Sequence, residues 1–276
     1  MDTAIDGERL VEAANRLQGL PASLTQLASI VASDNFSLRD VVDVISYDPA
    51  LTARLLRAAN SVMSASASPV GTVHDAVVRL GAGPVLTIAM GDAVGSRMRR
   101  NGAAGDTSLW AHSIRTAAAS EAVKRTSARD VPAVAMTGAL LHDVGKLVLA
   151  EALSPHVLRL LEEVAENEDL TSEQAETAVL MVHHGELGAI AARAWMLPEE
   201  ITDAILYHHD IAQLDTVLGC AVALADQVAY DGERGVEDAS DRAVELMTRL
   251  GISTDGYPSL LAAAADRYEM LAERLA

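Results

Sequence analysis

Apolar side chains recur along this chain at helical spacing from one end to the other. Leu10, Ala13, Ala14 and Leu17 fall at i, i+3, i+4 and i+7, and Gly19 before Pro21 closes that element. A second helix follows Pro21-Ala22-Ser23, with Leu24, Leu27, Ala28 and Val31 on one face. Ser37 is an N-cap for a helix carrying Leu38, Val41, Val42 and Ile45. Asp48-Pro49 supplies an N-cap and a first-turn proline for residues 50–56. Residues 64–71 are small and turn-like, and a helix over 73–80 stops at Gly81. The run Asn-Gly-Ala-Ala-Gly-Asp at 101–106 reads as a linker. Beyond it the pattern predicts helices over 107–128, 131–145, 155–167, 171–181, 185–195, 198–208 and 214–229. Residues 230–235 read as a second break, followed by two amphipathic helices that end in Tyr268, Leu271 and Leu275. No segment alternates as a strand would, and no internal repeat is evident. The predicted class is all-α.

Composition supports this. Half of the 276 residues are apolar but only 3% are aromatic, so the core is built from Ala, Leu, Val, Ile and Met. Such interiors suit close helix–helix packing better than sheets. Trp110 and Trp195 read as core anchors, and Cys220, the single cysteine, as core filler in an apolar run. The formal charge is −18, from 21 basic and 39 acidic residues. That balance argues against a nucleic-acid groove and against an anionic membrane surface. Arg97, Arg99 and Arg100 cluster, but beside the linker they read as a solvated helix end. No apolar run approaches the ~20 residues of a membrane helix, and the acidic start Met1-Asp2-Thr3-Ala4-Ile5-Asp6 lacks a signal pattern. The expectation is a cytoplasmic protein.

The chemistry lies in a string of histidines and aspartates. His112, the pair His142-Asp143, His184, the pair His208-His209 and Asp226 fall on five predicted helices. Imidazole and carboxylate together make a ligand set for Fe, Mn or Zn. A helical bundle can aim such groups inward at one point, and a pair of cations there would suit attack on a phosphoryl group. Lys146, at i+3 from Asp143 and i+4 from His142, is placed to meet a phosphate. Gly145 before it offers a change of chain direction. His183 points about 100° away from His184 around a helix and reads as a non-ligand. His74 and His156 read as surface residues at helix starts, and each member of the string taken alone is more often structural.

These residues resemble those of the HD superfamily of metal-dependent phosphohydrolases and, more closely, the HDOD family of HD-related output domains in bacterial signalling proteins. The resemblance covers about residues 17–230. Its N-terminal signature runs through Leu20-Pro21 and from Asp48-Pro49-Ala50-Leu51 to Ala59-Asn60-Ser61, with Ala76 through Gly81 fitting the next helix. Leu109-Trp110-Ala111-His112-Ser113, residues 138–149, His184-Gly185-Glu186-Leu187-Gly188, Trp195-Met196-Leu197-Pro198 and His208-His209 complete it. It implies an N-terminal helical subdomain (1–104) packed on an HD-like core (105–232), with C-terminal helices (233–276). It also implies one or two divalent metal ions. The first would be held by His112, His142, Asp143 and Asp226, and the second would draw on His184, His208 and His209. Asp143 and Lys146 would be the catalytic groups if the protein is an enzyme, with Lys146 contacting phosphate. Relatives that hydrolyse cyclic-di-GMP carry His-x-x-x-Asp-Gly-x-Gly-Tyr-Pro after their metal motifs. This chain has no such run after His209, and Asp255-Gly256-Tyr257-Pro258 reads as a turn, so that activity is not expected.

Two functional readings follow. In the preferred one, a regulatory HDOD protein acts through a signalling protein partner or a nucleotide or phosphate ligand, because fold and ligand set alone do not establish turnover. In the other, a metal-dependent phosphohydrolase acts on a nucleotide or phosphate ester. The terminal helices could cap the bundle or make a homodimer.

Overall fold

Residues 7–16, 22–33, 35–61, 70–100 and 106–275 are described by a computed structural model, and every regular element among them is a helix. The first half runs through α1 (Gly7–Arg16), α2 (Ala22–Ala32), α3 (Leu38–Ser46), α4 (Pro49–Ser61), α5 (Val73–Leu80) and α6 (Ala82–Arg100). Next come α7 (Asp106–Thr126), α8 (Ala135–Leu141), α9 (Val144–Ala152), α10 (Pro155–Glu168), α11 (Ser172–Leu180) and α12 (His184–Ala194). The chain ends with α13 (Glu199–Tyr207), α14 (Val217–Arg234), α15 (Asp241–Arg249) and α16 (Tyr257–Leu275).

The starts and stops have local causes. Ser37 and Asp40 cap each other's backbone N–H groups and fix the start of α3. Asp48 accepts from the Leu51 N–H at 3.1 Å and opens α4. Gly81, at φ 85°, lets α5 turn by 105° into α6. The predicted apolar face of α2 is the buried one: Leu24, Leu27, Ala28 and Val31 all enter the core. Trp110, Trp195 and Cys220 are buried there too.

The centre of the molecule is α7, which lies along α14 and α16. Small buried residues on these helices, Ala117, Ala118 and Ala122 on α7 and Ala221 and Ala225 on α14, suit close packing. A second packed group sets α12 against α9 and α13. Gly145 is the contact point: a Cβ there would sit 1.8 Å from the His184 carbonyl oxygen. Its role is close helix packing inside α9, not the chain reversal expected of it.

The structure corrects two boundaries. The helix expected over 131–145 is two, α8 and α9, broken at His142-Asp143, where Asp143 adopts φ −96° and ψ 12°. The break expected at 230–235 is helical as far as Arg234, and the helix stops at Gly235 with φ 67°. Asp231, inside that expected break, is buried and accepts hydrogen bonds from Gln227 and from the Tyr257 hydroxyl. Of helix α6 only the end at Arg97, Arg99 and Arg100 was anticipated, because its buried apolar residues surround it too evenly for an amphipathic pattern. Asp255-Gly256-Tyr257-Pro258 is a short 3-10 turn running into α16, with Tyr257 buried. Leu17, Gly19, Leu20, Pro21, residues 64–69 and residues 101–105 of the expected linker lie outside the described residues. No single helix among the described residues is long and apolar enough to cross a membrane.

Candidate metal centre

All seven residues of the predicted string meet in one place. His112 comes from the second turn of α7, His142 and Asp143 from the break between α8 and α9, and His184 from the first residue of α12. His208 and His209 leave the end of α13, and Asp226 projects from the middle of α14. They form two adjoining groups. His112, His142 and Asp226 make one, and Asp143, His184, His208 and His209 the other.

Asp143 joins the two. Its Oδ2 lies 3.4 Å from His142 Nε2, while its Oδ1 lies 3.2 Å from His184 Nε2 and 3.7 Å from His208 Nε2. In the first group Asp226 Oδ1 is 3.1 Å from His112 Nε2 and 3.4 Å from His142 Nε2. In the second, His184 Nε2 is 3.3 Å from His208 Nε2 and 3.0 Å from His209 Nε2. Donors sharing a cation at ~2.0–2.2 Å stand about 3–3.5 Å apart, so the spacing fits that use.

The other edge of four rings is already engaged. His142 Nδ1 meets the Ala139 carbonyl at 2.8 Å and His208 Nδ1 the Ile205 carbonyl at 2.6 Å. His184 Nδ1 is 2.7 Å from buried Glu176, and His112 Nδ1 is 3.4 Å from Glu233. These partners hold Nδ1 and leave Nε2 turned toward the cluster, the usual outer layer of a metal site. His142 Nε2 and Asp143 Oδ1 are buried with no hydrogen-bond partner, and both face the cluster. The donor set therefore fits a divalent cation in each group.

Charge separates the groups. Burial works against a charged His112 ring, but Asp226 and Glu233 outweigh it and raise it to about 9. Burial opposes charge on His142 as well, and Asp143 with Asp226 raises it to about 10. His208 is pushed down by burial and by the neighbouring His209 and His142, and burial lowers His209 to about 3. Both aspartates stay ionised against their burial, Asp143 through Lys146 and His142, Asp226 through His112 and His142. Lys146 donates to Asp143 Oδ2 at 2.7 Å, with a third of its side chain still open to solvent.

The histidines read as bystanders stay outside. His183 turns toward Glu173 and Glu186, at 3.9 and 3.8 Å, and its backbone N–H is capped by Glu186. His74 and His156 are exposed. Four supporting residues were not anticipated: Glu176 behind His184, Glu233 behind His112, Arg115 bound to Glu233 at 2.9 Å, and Arg242 behind His208 and His209. Only Glu233 left a trace, since it follows Asp226 at i+7 on the same face of α14.

Fold and site together define an all-helical bundle built around buried imidazoles and carboxylates that could hold metal. The chain belongs to the HDOD domain family, whose model matches residues 17–211. An uncharacterized protein of Treponema pallidum (strain Nichols) is 28% identical over 193 residues, covering 70% of this chain and 37% of that one. Ribonuclease Y of Thermus thermophilus is 30% identical over 139 residues, 49% of this chain and 19% of the relative. The chain thus spans well under half the length of these relatives. Among solved structures, an HDOD domain protein of unknown function from Geobacter sulfurreducens superposes with a TM-score of 0.73 at 24% identity, covering 98% of both chains. A provisionally named signal transduction protein from Marinobacter aquaeolei VT8 gives 0.76 at 24% identity, over 100% of this chain and 66% of that one. At this identity the likenesses establish the fold.

Proposed function

We propose that this chain is a signal-transduction HDOD protein whose centre holds one or two divalent cations (Fe, Mn or Zn) together with a phosphate-bearing ligand such as a nucleotide. His112, His142, Asp143 and Asp226 would hold the first cation. Asp143, His184, His208 and His209 would hold the second, and Lys146 would meet the phosphate. A protein partner would then read the occupied state. One observation carries the reading: buried His142 Nε2 and Asp143 Oδ1 lack hydrogen-bond partners and face donors whose opposite edges are already fixed. A buried polar atom without a partner costs about 1–3 kcal/mol, which a cation would offset.

A second reading, turnover of a phosphate ester, is favoured by the shared Asp143 between two donor groups and by Lys146 beside it. When bound, a divalent cation supplies Lewis acidity toward phosphoryl oxygens. In this reading Asp143 holds and orients the attacking water, and Lys146, at the more open side, orients the phosphate. The absent His-x-x-x-Asp-Gly-x-Gly-Tyr-Pro run weighs against cyclic-di-GMP as the ester.

The deciding experiment is the metal content of protein purified anaerobically without a histidine tag, for wild type and His142→Ala in parallel. One or two equivalents of Fe, Mn or Zn, lost in the variant, are expected. No metal in the wild type and none taken up on reconstitution would overturn the reading. A nucleotide and phosphodiester screen then separates the alternatives: turnover that disappears in His142→Ala establishes the hydrolase.

A further inference from the structure

Helix α15 stands beyond the family match at 17–211, yet its side chains reach the carbonyl groups that close α13. Arg242 Nη1 donates to the His209 carbonyl at 2.7 Å, and its Nη2 donates to the His208 carbonyl. Further along the same helix, Arg249 donates to the carbonyls of Ile211 at 3.1 Å and Leu214 at 2.7 Å, and also binds Glu245. The helix that carries both arginines is itself anchored. Ser240 caps its start, and Ala243, Leu246 and Met247 are buried in the core.

The chemistry of the contact is specific. The last carbonyls of a helix have no partner within it and attract a cation. A guanidinium presents a rigid fork of donors, so one arginine spans two successive carbonyls where a lysine would be a point charge on a flexible stem. Here the two carbonyls belong to the residues whose rings enter the Asp143 and His184 group. His208 also has its ring held from within α13, by the Ile205 carbonyl.

We infer that Arg242 is a positioning residue for the His208-His209 pair, clamping the peptide from which both imidazoles reach the second cation subsite. Helix α15 is then a working part of the centre, and displacement of α15 loosens that subsite before the first. The inference rests on the two-cation reading above.

The test is titration of the metal-free full chain with Co(II), followed by calorimetry and by the visible absorption of the bound ion. Wild type should take up two equivalents. Arg242→Ala should keep one uptake step at its wild-type affinity and weaken the other by about 10–100-fold, the usual scale for outer-layer support. Arg242→Lys should recover part of that loss. Arg249→Ala, which loses contacts to the connection between α13 and α14 but none to His208 or His209, should keep both steps. Equal affinities in Arg242→Ala and wild type, both steps weakened alike, or the same selective loss in Arg249→Ala would each overturn the role of Arg242. Fewer than two equivalents in wild type would overturn the two-cation reading itself. Should Arg242→Ala fail to fold, imidazole 1H–15N spectra of metal-free Arg242→Lys decide. Shifted His208 and His209 signals beside unmoved His112 and His142 support the role, and unmoved signals throughout refute it.

Discussion

A single carboxylate oxygen, Glu176 Oε2, meets both the backbone N–H and the ring Nδ1 of His184 at 2.7 Å. Glutamine at 176 keeps the shape and one oxygen for both donors but removes the negative charge behind the ring. Glu176→Gln should therefore weaken cation uptake by about 10–100-fold with little change in melting temperature, as read by calorimetry. Unchanged affinity would reduce Glu176 to a helix cap. Protons compete at the opposite group. With Asp226, Glu233 and Asp143 facing them, His112 is raised to about 9 and His142 to about 10, so both rings are protonated at neutral pH in the absence of metal. A cation needs those nitrogens bare, so uptake should release protons and tighten as pH rises. Titration in two buffers of different ionisation enthalpy measures the release; uptake without protons would contradict it. The clustering residues were legible in the sequence because His142-Asp143 and His208-His209 are paired along the chain. Glu176 was not, because it meets His184 across the bend between α11 and α12, where no helical spacing relates them.

Elements explain why the clustered histidines and aspartates arrive together. The break between α8 and α9 turns His142 and Asp143 toward the centre, and α9 then packs on α12, the helix that begins with His184. Gly145 sets that contact. A methyl group there would fall 1.8 Å from the His184 carbonyl oxygen and 2.8 Å from the Gly188 nitrogen, both backbone atoms that cannot swing aside. Gly145→Ala should cost at least about 1–3 kcal/mol and disturb cation uptake together with stability. Gly256→Ala, where a Cβ meets nothing within 4 Å, serves as the control for thermal melting. Equal melting temperatures for the two variants would show that α9 and α12 can separate freely. Periodicity anticipated most helices because their apolar faces alternate with solvent. It passed through the 142–143 break because buried residues flank it on both sides: Ala139, Leu140, Leu141, Val144, Leu147 and Val148 are all in the core. It missed the body of α6 for the related reason that Val85, Leu86, Ile88, Ala89 and Met90 are buried in close succession around the helix.

At the scale of the whole molecule, charge decides the size of ligand the centre can serve. The chain carries a net charge of −18. RNA affinity without sequence preference comes from basic side chains that release counterions from the phosphates, so it falls steeply with added salt. The acidic excess opposes that attraction over most of the surface. At the centre, Lys146 is the cation hydrogen-bonded to Asp143, while Arg242 is committed to backbone carbonyls. A small phosphate ligand needs only such a local site, whereas a polynucleotide must lie along the surrounding surface as well. The chain should therefore show no retention of a single-stranded RNA at low salt, by fluorescence anisotropy, with metal present or absent. A mononucleotide should bind in a metal-dependent manner. Tight RNA binding with a steep salt slope would mean that a concentrated basic face outweighs the global charge, and the nucleotide-sized ligand would have to give way to a polymeric one.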